Sequence, residues 1–135
     1  MSGNTESADK AQIGLTPLGA QHLDAVMKTG WFANAQDAYR LAIAVALAHG
    51  LVATPEQIAG SDTKYNFMGG VDRDGKVRAL ISALAPAEAA TPGRYAERLA
   101  HAGLATLASK LADEDALLCD AVSFQRPTDQ PSASS

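Results

Sequence analysis

The segment Lys10-Ala11-Gln12-Ile13-Gly14-Leu15-Thr16 sets how the rest of the chain is read. Its apolar residues Ala11, Ile13 and Leu15 take every second position, so they share one face of an extended strand while Lys10, Gln12, Gly14 and Thr16 share the other. A strand this short cannot satisfy its own backbone. No second convincing strand lies nearby in the sequence, so pairing with the same strand of another copy is expected, giving a dimer built on a two-stranded ribbon. Thr16 then reads as an N-cap with Pro17 at the first helical position. A first helix follows, with Leu18, Leu23, Val26 and Met27 on its buried stripe and Gly30 at its C-terminal cap. Trp31 and Phe32 come next, and two large aromatics in a turn are expected to pack under the helix junction.

Asn34 opens a second helix as N-cap, and Asp37 three residues on places a carboxylate at the positive helix end. From Ala38 to Ala48 the only charged side chain is Arg40. Such a run is too short to span a bilayer and too apolar to face water, so it reads as a core helix packed against its symmetry mate. His49-Gly50 closes it.

In this order of elements, with Asn34, Asp37, Tyr39, Arg40 and Ala42 in their places, residues 10–50 resemble the ribbon-helix-helix family of bacterial DNA-binding proteins, which includes antitoxins and plasmid repressors. The resemblance covers 41 of 135 residues. It implies a ribbon-helix-helix core of one short strand and two helices and an intertwined dimer; with the C-terminal helical extension read from the later residues, the expected fold is mainly α. It also implies that paired strands enter the DNA major groove and present Lys10, Gln12, Gly14 and Thr16 to base edges. The start of the second helix, Asn34, Ala35 and Gln36, would hold a phosphate, with Arg40 beside it. Ile13, Leu15, Leu41 and Val45 would form the dimer interface.

The charge pattern departs from that family. Its DNA-binding members carry several basic residues on the strand, whereas this strand offers Lys10 alone. Residues 10–50 hold three basic and two acidic side chains, net +1, and the whole chain is −4. Sequence-independent attraction to DNA needs many neutralised phosphates, so affinity per dimer is expected to be weak or supplied cooperatively. Residues 63–110 carry seven basic and four acidic side chains, net +3, while residues 111–135 carry one basic and five acidic, net −4. A solvated mixed surface explains this more simply than attraction between the two segments.

The sequence divides into a polar arm (1–9), the ribbon-helix-helix segment (10–50), a helical extension (51–124) and a tail rich in Pro and Ser (125–135), with both ends expected to be disordered. Thr54-Pro55 signals a short helical turn ending at Gly60. The stretch from Ser61 to Gly70 reads as a loop laying aromatics on the core, with a short strand open as an alternative. Asp72-Arg73-Asp74-Gly75 has the beginning of a calcium loop but lacks the later ligands, so a helix N-cap is the simpler reading. A third helix is expected over 74–85, with Val77, Leu80, Ile81 and Leu84 buried. A fourth is expected over 92–111, with Tyr95, Leu99, Ala102 and Leu107 near one face and Gly103 marking the close approach of another helix. Asp113-Glu114-Asp115 would cap a last short helix over 116–122.

No catalytic, metal or cofactor motif is present. His22, His49 and His101 lie far apart in sequence and read as surface or helix-end residues, and Cys119 as a small hydrophobe. A lone cysteine, no secretory pattern and no membrane-length apolar run lead to the expectation of a cytoplasmic protein without membrane partners. Two function classes follow. One is a dimeric DNA-binding regulator or antitoxin, non-enzymatic, with double-stranded DNA and a second copy as partners. The other is an assembly or accessory subunit that keeps the fold for oligomerisation and grips a protein partner through residues 51–124. A small protein of bacterial DNA-sulfur modification systems, also ribbon-helix-helix-like and assembling further, makes a role in DNA modification or phage defence the nearest analogy for the second class.

Overall fold

The computed structural model describes the backbone of residues 9–125 and the side chains of residues 9–111. Residues 1–8 of the expected arm, the last ten residues of the tail and the side chain of Cys119 lie outside what is described; Asp9, the last residue of that arm, accepts the Gly93 and Arg94 N–H groups at the start of the last helix. The chain is mainly helical with one small antiparallel sheet. Strand β1 (Gln12–Leu15) leads into helices α1 (Pro17–Met27) and α2 (Ala35–His49), followed by strand β2 (Asp62–Asn66) and a π-helical turn at Phe67–Val71. Helix α3 (Lys76–Leu84), a 3₁₀ turn at Pro86–Glu88 and the long helix α4 (Pro92–Gln125) complete the order.

Local sequence chemistry sets most of these boundaries. Thr16 is the N-cap of α1, its Oγ1 accepting from the Gly19 N–H at 2.9 Å, with Pro17 behind it. Asn34 caps α2 through a bond from the Asp37 N–H, and Gly50 closes that helix at φ 67°. Thr54 and Gln57 exchange side-chain and backbone bonds as a reciprocal capping box. Asp72 serves the start of α3 rather than a calcium loop. It is fully buried and accepts the N–H groups of Val77 and Arg78, with the Arg78 Nε at 2.7 Å.

Two sequence expectations about segmentation are corrected. The segment after Gly50 supplies a true strand, β2, which pairs antiparallel with β1 of the same chain in the register Gln12↔Asn66, Ile13↔Tyr65, Gly14↔Thr63 and Leu15↔Asp62. The skip at Lys64 is a bulge, and this irregularity with polar alternate positions hid the strand in the sequence. The break expected near residue 112 is absent, and α4 runs unbroken to Gln125. An acidic triplet is as compatible with a helix interior as with a cap when no Gly or Pro stops the helix.

The core lies where α4 crosses α1 and α2 beneath the sheet. Ile13, Val26, Tyr39, Ile43, Phe67 and Leu104 are almost wholly removed from water within one chain. Burying each such large side chain contributes about 1.5–3 kcal/mol. The apolar stripes are narrower than the sequence implies: Leu23 and Val26 of α1 are buried but Leu18 is 60% exposed, and Val77 and Ile81 of α3 are buried while Leu80 and Leu84 face outward. Of the aromatic pair, Phe32 packs against the core and Trp31 stays exposed, so the expected packing holds for one ring only.

The close approach expected at Gly103 is present. A Cβ there would lie 1.9 Å from the Ala42 carbonyl oxygen, a backbone atom that cannot rotate aside. Helix propensity alone predicts that Gly103→Ala stabilises by about 1 kcal/mol. Steric conflict with α2 reverses that sign, and we expect a net loss of about 1–3 kcal/mol in urea unfolding. A variant as stable as the parent would show that α2 and α4 do not meet at this glycine.

Candidate functional site

Strand β1 lies between two different kinds of partner. On one edge it bonds β2. On the other, helix α4 and Tyr39 supply side chains where a further strand would sit. The Gly14 N–H donates to Glu97 Oε2 at 2.9 Å, the Thr16 N–H donates to His101 Nε2 at 3.0 Å, and the Tyr39 hydroxyl donates to the Gly14 carbonyl at 2.9 Å. Glu97 and His101 are one helical turn apart, so a single face of α4 presents both acceptors to the strand. Glu97 is 1% exposed, and Lys10 Nζ at 2.6 Å and the Ser61 hydroxyl at 2.8 Å complete its shell.

This arrangement corrects the expected ribbon. Lys10 is held by a buried carboxylate, Gly14 is sealed between Glu97, Tyr39 and Asp62, and Thr16 is buried as the cap of α1. Gln12 alone of the four strand residues projects to solvent. Ile13 and Leu15, expected at a dimer interface, are 0% and 3% exposed in a single chain and have no surface left to offer. The pairing assigned to a second copy is made by β2 and α4 because they reach both edges first. On α2, Leu41 is exposed and Val45 half-buried, so these two expected interface residues do reach the surface.

The other expected contacts gather at the start of α2. Asn34 and Arg40 are exposed there, Ala35 packs against the core, and Gln36 is half-buried beside Gly70. With Arg73 from the turn before α3, Asn34, Gln36 and Arg40 line a polar cleft of about 250 Å³. Asp37 also lines it, 3.7 Å from Arg40, an exposed pair of little energetic weight.

A second depression of about 410 Å³ lies between α1, the segment after α2 and α4. Its walls include Leu18, Leu51, Val52, Ala102 and Ala105, together with His22 and His101. His101, expected at the surface, is 8% exposed. One signal for its burial lay in the sequence, its spacing from Glu97 on a helix stripe otherwise filled by Ala96, Ala100 and Leu104. Among the described residues, no group of three His, Cys, Asp or Glu side chains is placed to hold a metal ion.

No family model, curated protein or solved structure matches the chain.

The bonds of His101 fix its neutral tautomer. Nδ1 lies 2.8 Å from the Glu97 carbonyl and carries the proton, leaving Nε2 to accept from Thr16. Burial lowers its pKa from the ordinary 6.5, helped by Lys10 and His22 and opposed by the backbone bond and charge of Glu97. A lowered folded pKa means that the unfolded chain binds this proton first. The stabilising contribution is therefore present above pH 6.5 and is lost as pH falls from there through the folded value. Urea midpoints measured between about pH 7 and 5 should fall for the parent, and His101→Gln, already weaker, should fall less over that interval. Equal pH slopes in the two proteins would exclude the assigned role of Nε2.

Proposed function

We propose that this chain is a non-catalytic accessory subunit that self-associates through an apolar groove and serves a larger assembly, with DNA modification or phage defence as the nearest analogy. One observation carries the reading: the groove's rim is apolar and open, while most of the polar strand positions a DNA-reading ribbon would turn outward are engaged within the chain. Leu18 is 60% exposed on that rim, with Leu51 and Val52 beside it. Large apolar side chains grouped around one concavity favour association, whereas scattered ones need no explanation. A second copy is the simplest occupant, because a self-complementary two-fold contact would place Leu18 of each copy against the groove of the other and cover both apolar rims at once.

The variant Leu18→Asp/Val52→Asp tests this by light scattering. The parent should be a dimer or larger at micromolar concentration. The double variant should dissociate about 10,000-fold more readily, because a two-fold contact loses four apolar side chains, two from each copy, each contributing about 1.4 kcal/mol when buried in the interface. A parent that remains monomeric across the micromolar range removes the reading.

A second reading, direct DNA binding, is favoured by the cleft at the start of α2, where Arg40, Arg73 and Gln36 surround the helix N-terminus. Under this reading the contacts are to phosphates rather than base edges. Arg40→Ala/Arg73→Ala should then weaken binding to random duplex DNA and reduce the slope of log affinity against log salt by about 2, one for each phosphate no longer neutralised. Absence of binding by the parent at low salt would eliminate this version.

A further inference from the structure

A third depression, also of about 410 Å³, opens beside the helix-capped edge of β1, between Lys10, the turn at Gly60 and Ser61, and the first turns of α4. We infer that it is a phosphate-binding site, with the Arg98 guanidinium and the Lys10 ammonium as anion ligands and the Tyr95 ring as a wall. The inference is independent of the proposed self-association, which uses other residues.

Arg98 is fixed in place: its Nε donates to the Ala53 carbonyl at 2.8 Å, and its own carbonyl accepts the Ala53 N–H at 3.2 Å. Its guanidinium carbon lies 5.6 Å from the centre of the Tyr95 ring. A guanidinium held through Nε and set over a ring keeps its two terminal nitrogens as a fork of donors for a tetrahedral anion. Little side-chain entropy remains to be lost on binding.

Glu97 does not turn the site into a cation site. Its two oxygens already accept from Lys10, Gly14 and Ser61, so the carboxylate acts as an anchor that aims the ammonium and takes the one hydrogen bond the Ser61 hydroxyl can donate. Lys10 is 30% exposed and has three donors, of which the Glu97 bond uses one. Arg94 also lines the depression and adds positive charge.

The opposing charges are Glu97, compensated by Lys10, the Asp9 carboxylate, which accepts the Gly93 and Arg94 N–H groups at the start of α4, and Glu88, half-buried on the rim. A carboxylate there tolerates one phosphate group more readily than a run of them. The ligand is therefore a single phosphate group, carried on a body small enough for the cavity or flat enough to lie on Tyr95, as in a mononucleotide or one exposed nucleotide of a nucleic acid. An aromatic face beside a cationic donor suits a nucleobase and its phosphate together.

A titration of the whole chain, followed through its backbone amide resonances at low salt, tests the site with three probes: inorganic phosphate, adenosine 5′-monophosphate and a short single-stranded oligodeoxynucleotide. Saturable shifts at Ser61, Thr91 and Tyr95 with the first two probes are expected, without matching shifts at Asn34 or Arg73. The single-stranded oligonucleotide moving the same amides more tightly than the mononucleotide would place the phosphate on a nucleic acid. Response to inorganic phosphate and the mononucleotide but not to the oligonucleotide would place it on a free nucleotide. Arg98→Gln should weaken binding about 10-fold, and Arg98→Lys, which keeps the charge and loses the fork, by less. Glu88→Gln should tighten it, a change in the opposite direction that general loss of folding cannot mimic. Absence of saturable shifts at these amides in the parent, across the millimolar range of phosphate and mononucleotide, overturns the inference. Shifts that Arg98→Gln leaves unaltered overturn it equally.

Discussion

A four-residue strand with both edges to satisfy is the constraint from which the rest of the structure follows. Backbone N–H and C=O groups withdrawn from water must find partners, and β1 is buried along three of its four residues. Only one of its edges meets another strand. The other is met by Glu97, His101 and Tyr39, three side chains with the reach and polarity of a neighbouring backbone. Helix α4 is therefore fixed in rotation as well as position, since its carboxylate and imidazole must face the strand together.

That rotation governs what α4 does elsewhere. With Glu97 and His101 turned to β1, Gly103 meets the Ala42 backbone and allows α2 to approach closely. Gly19 performs a similar service under the His101 ring, where a Cβ would lie 2.7 Å from an imidazole carbon. Tyr39 joins the two arrangements. It sits in the core on α2, its ring lies 5.0 Å from that of Tyr65, and its hydroxyl reaches the strand. Burial first, then the charge of Glu97 and the neighbouring Tyr65, raises its pKa well above the usual phenol value, so the hydroxyl keeps its proton and remains a donor.

The distribution of polarity follows from the same packing. Glu97 turns inward with the part-exposed Lys10 held against it, and Asp72 is buried beneath Arg78. Removing either partner of such a pair leaves an uncompensated charge, which costs more than the pair itself contributes. Large apolar side chains meanwhile remain outside, among them Leu18, Trp31 and Leu84. A surface so arranged has more to offer a protein partner than a charged polymer along β1. Cationic groups gather instead in two separate depressions, at the start of α2 and at the start of α4.

Local punctuation was legible in the amino-acid order. Thr16-Pro17, Asn34 with Asp37, Gly50 and the Thr54 turn each act within a few residues, so their chemistry is complete in the segment that contains them. The alternation of Ile13 and Leu15 marked β1 for the same reason, and the glycine within α4 announced a close helix contact. Which groups complete the strand emerged only when the chain was folded. Lys10 is 87 positions from Glu97 and Thr16 is 85 from His101, distances over which periodicity carries no information. A carboxylate and an imidazole on an alanine-rich helix look like solvent-facing residues until that helix is laid against an unsatisfied backbone, and β2 looks like a loop until β1 lies beside it.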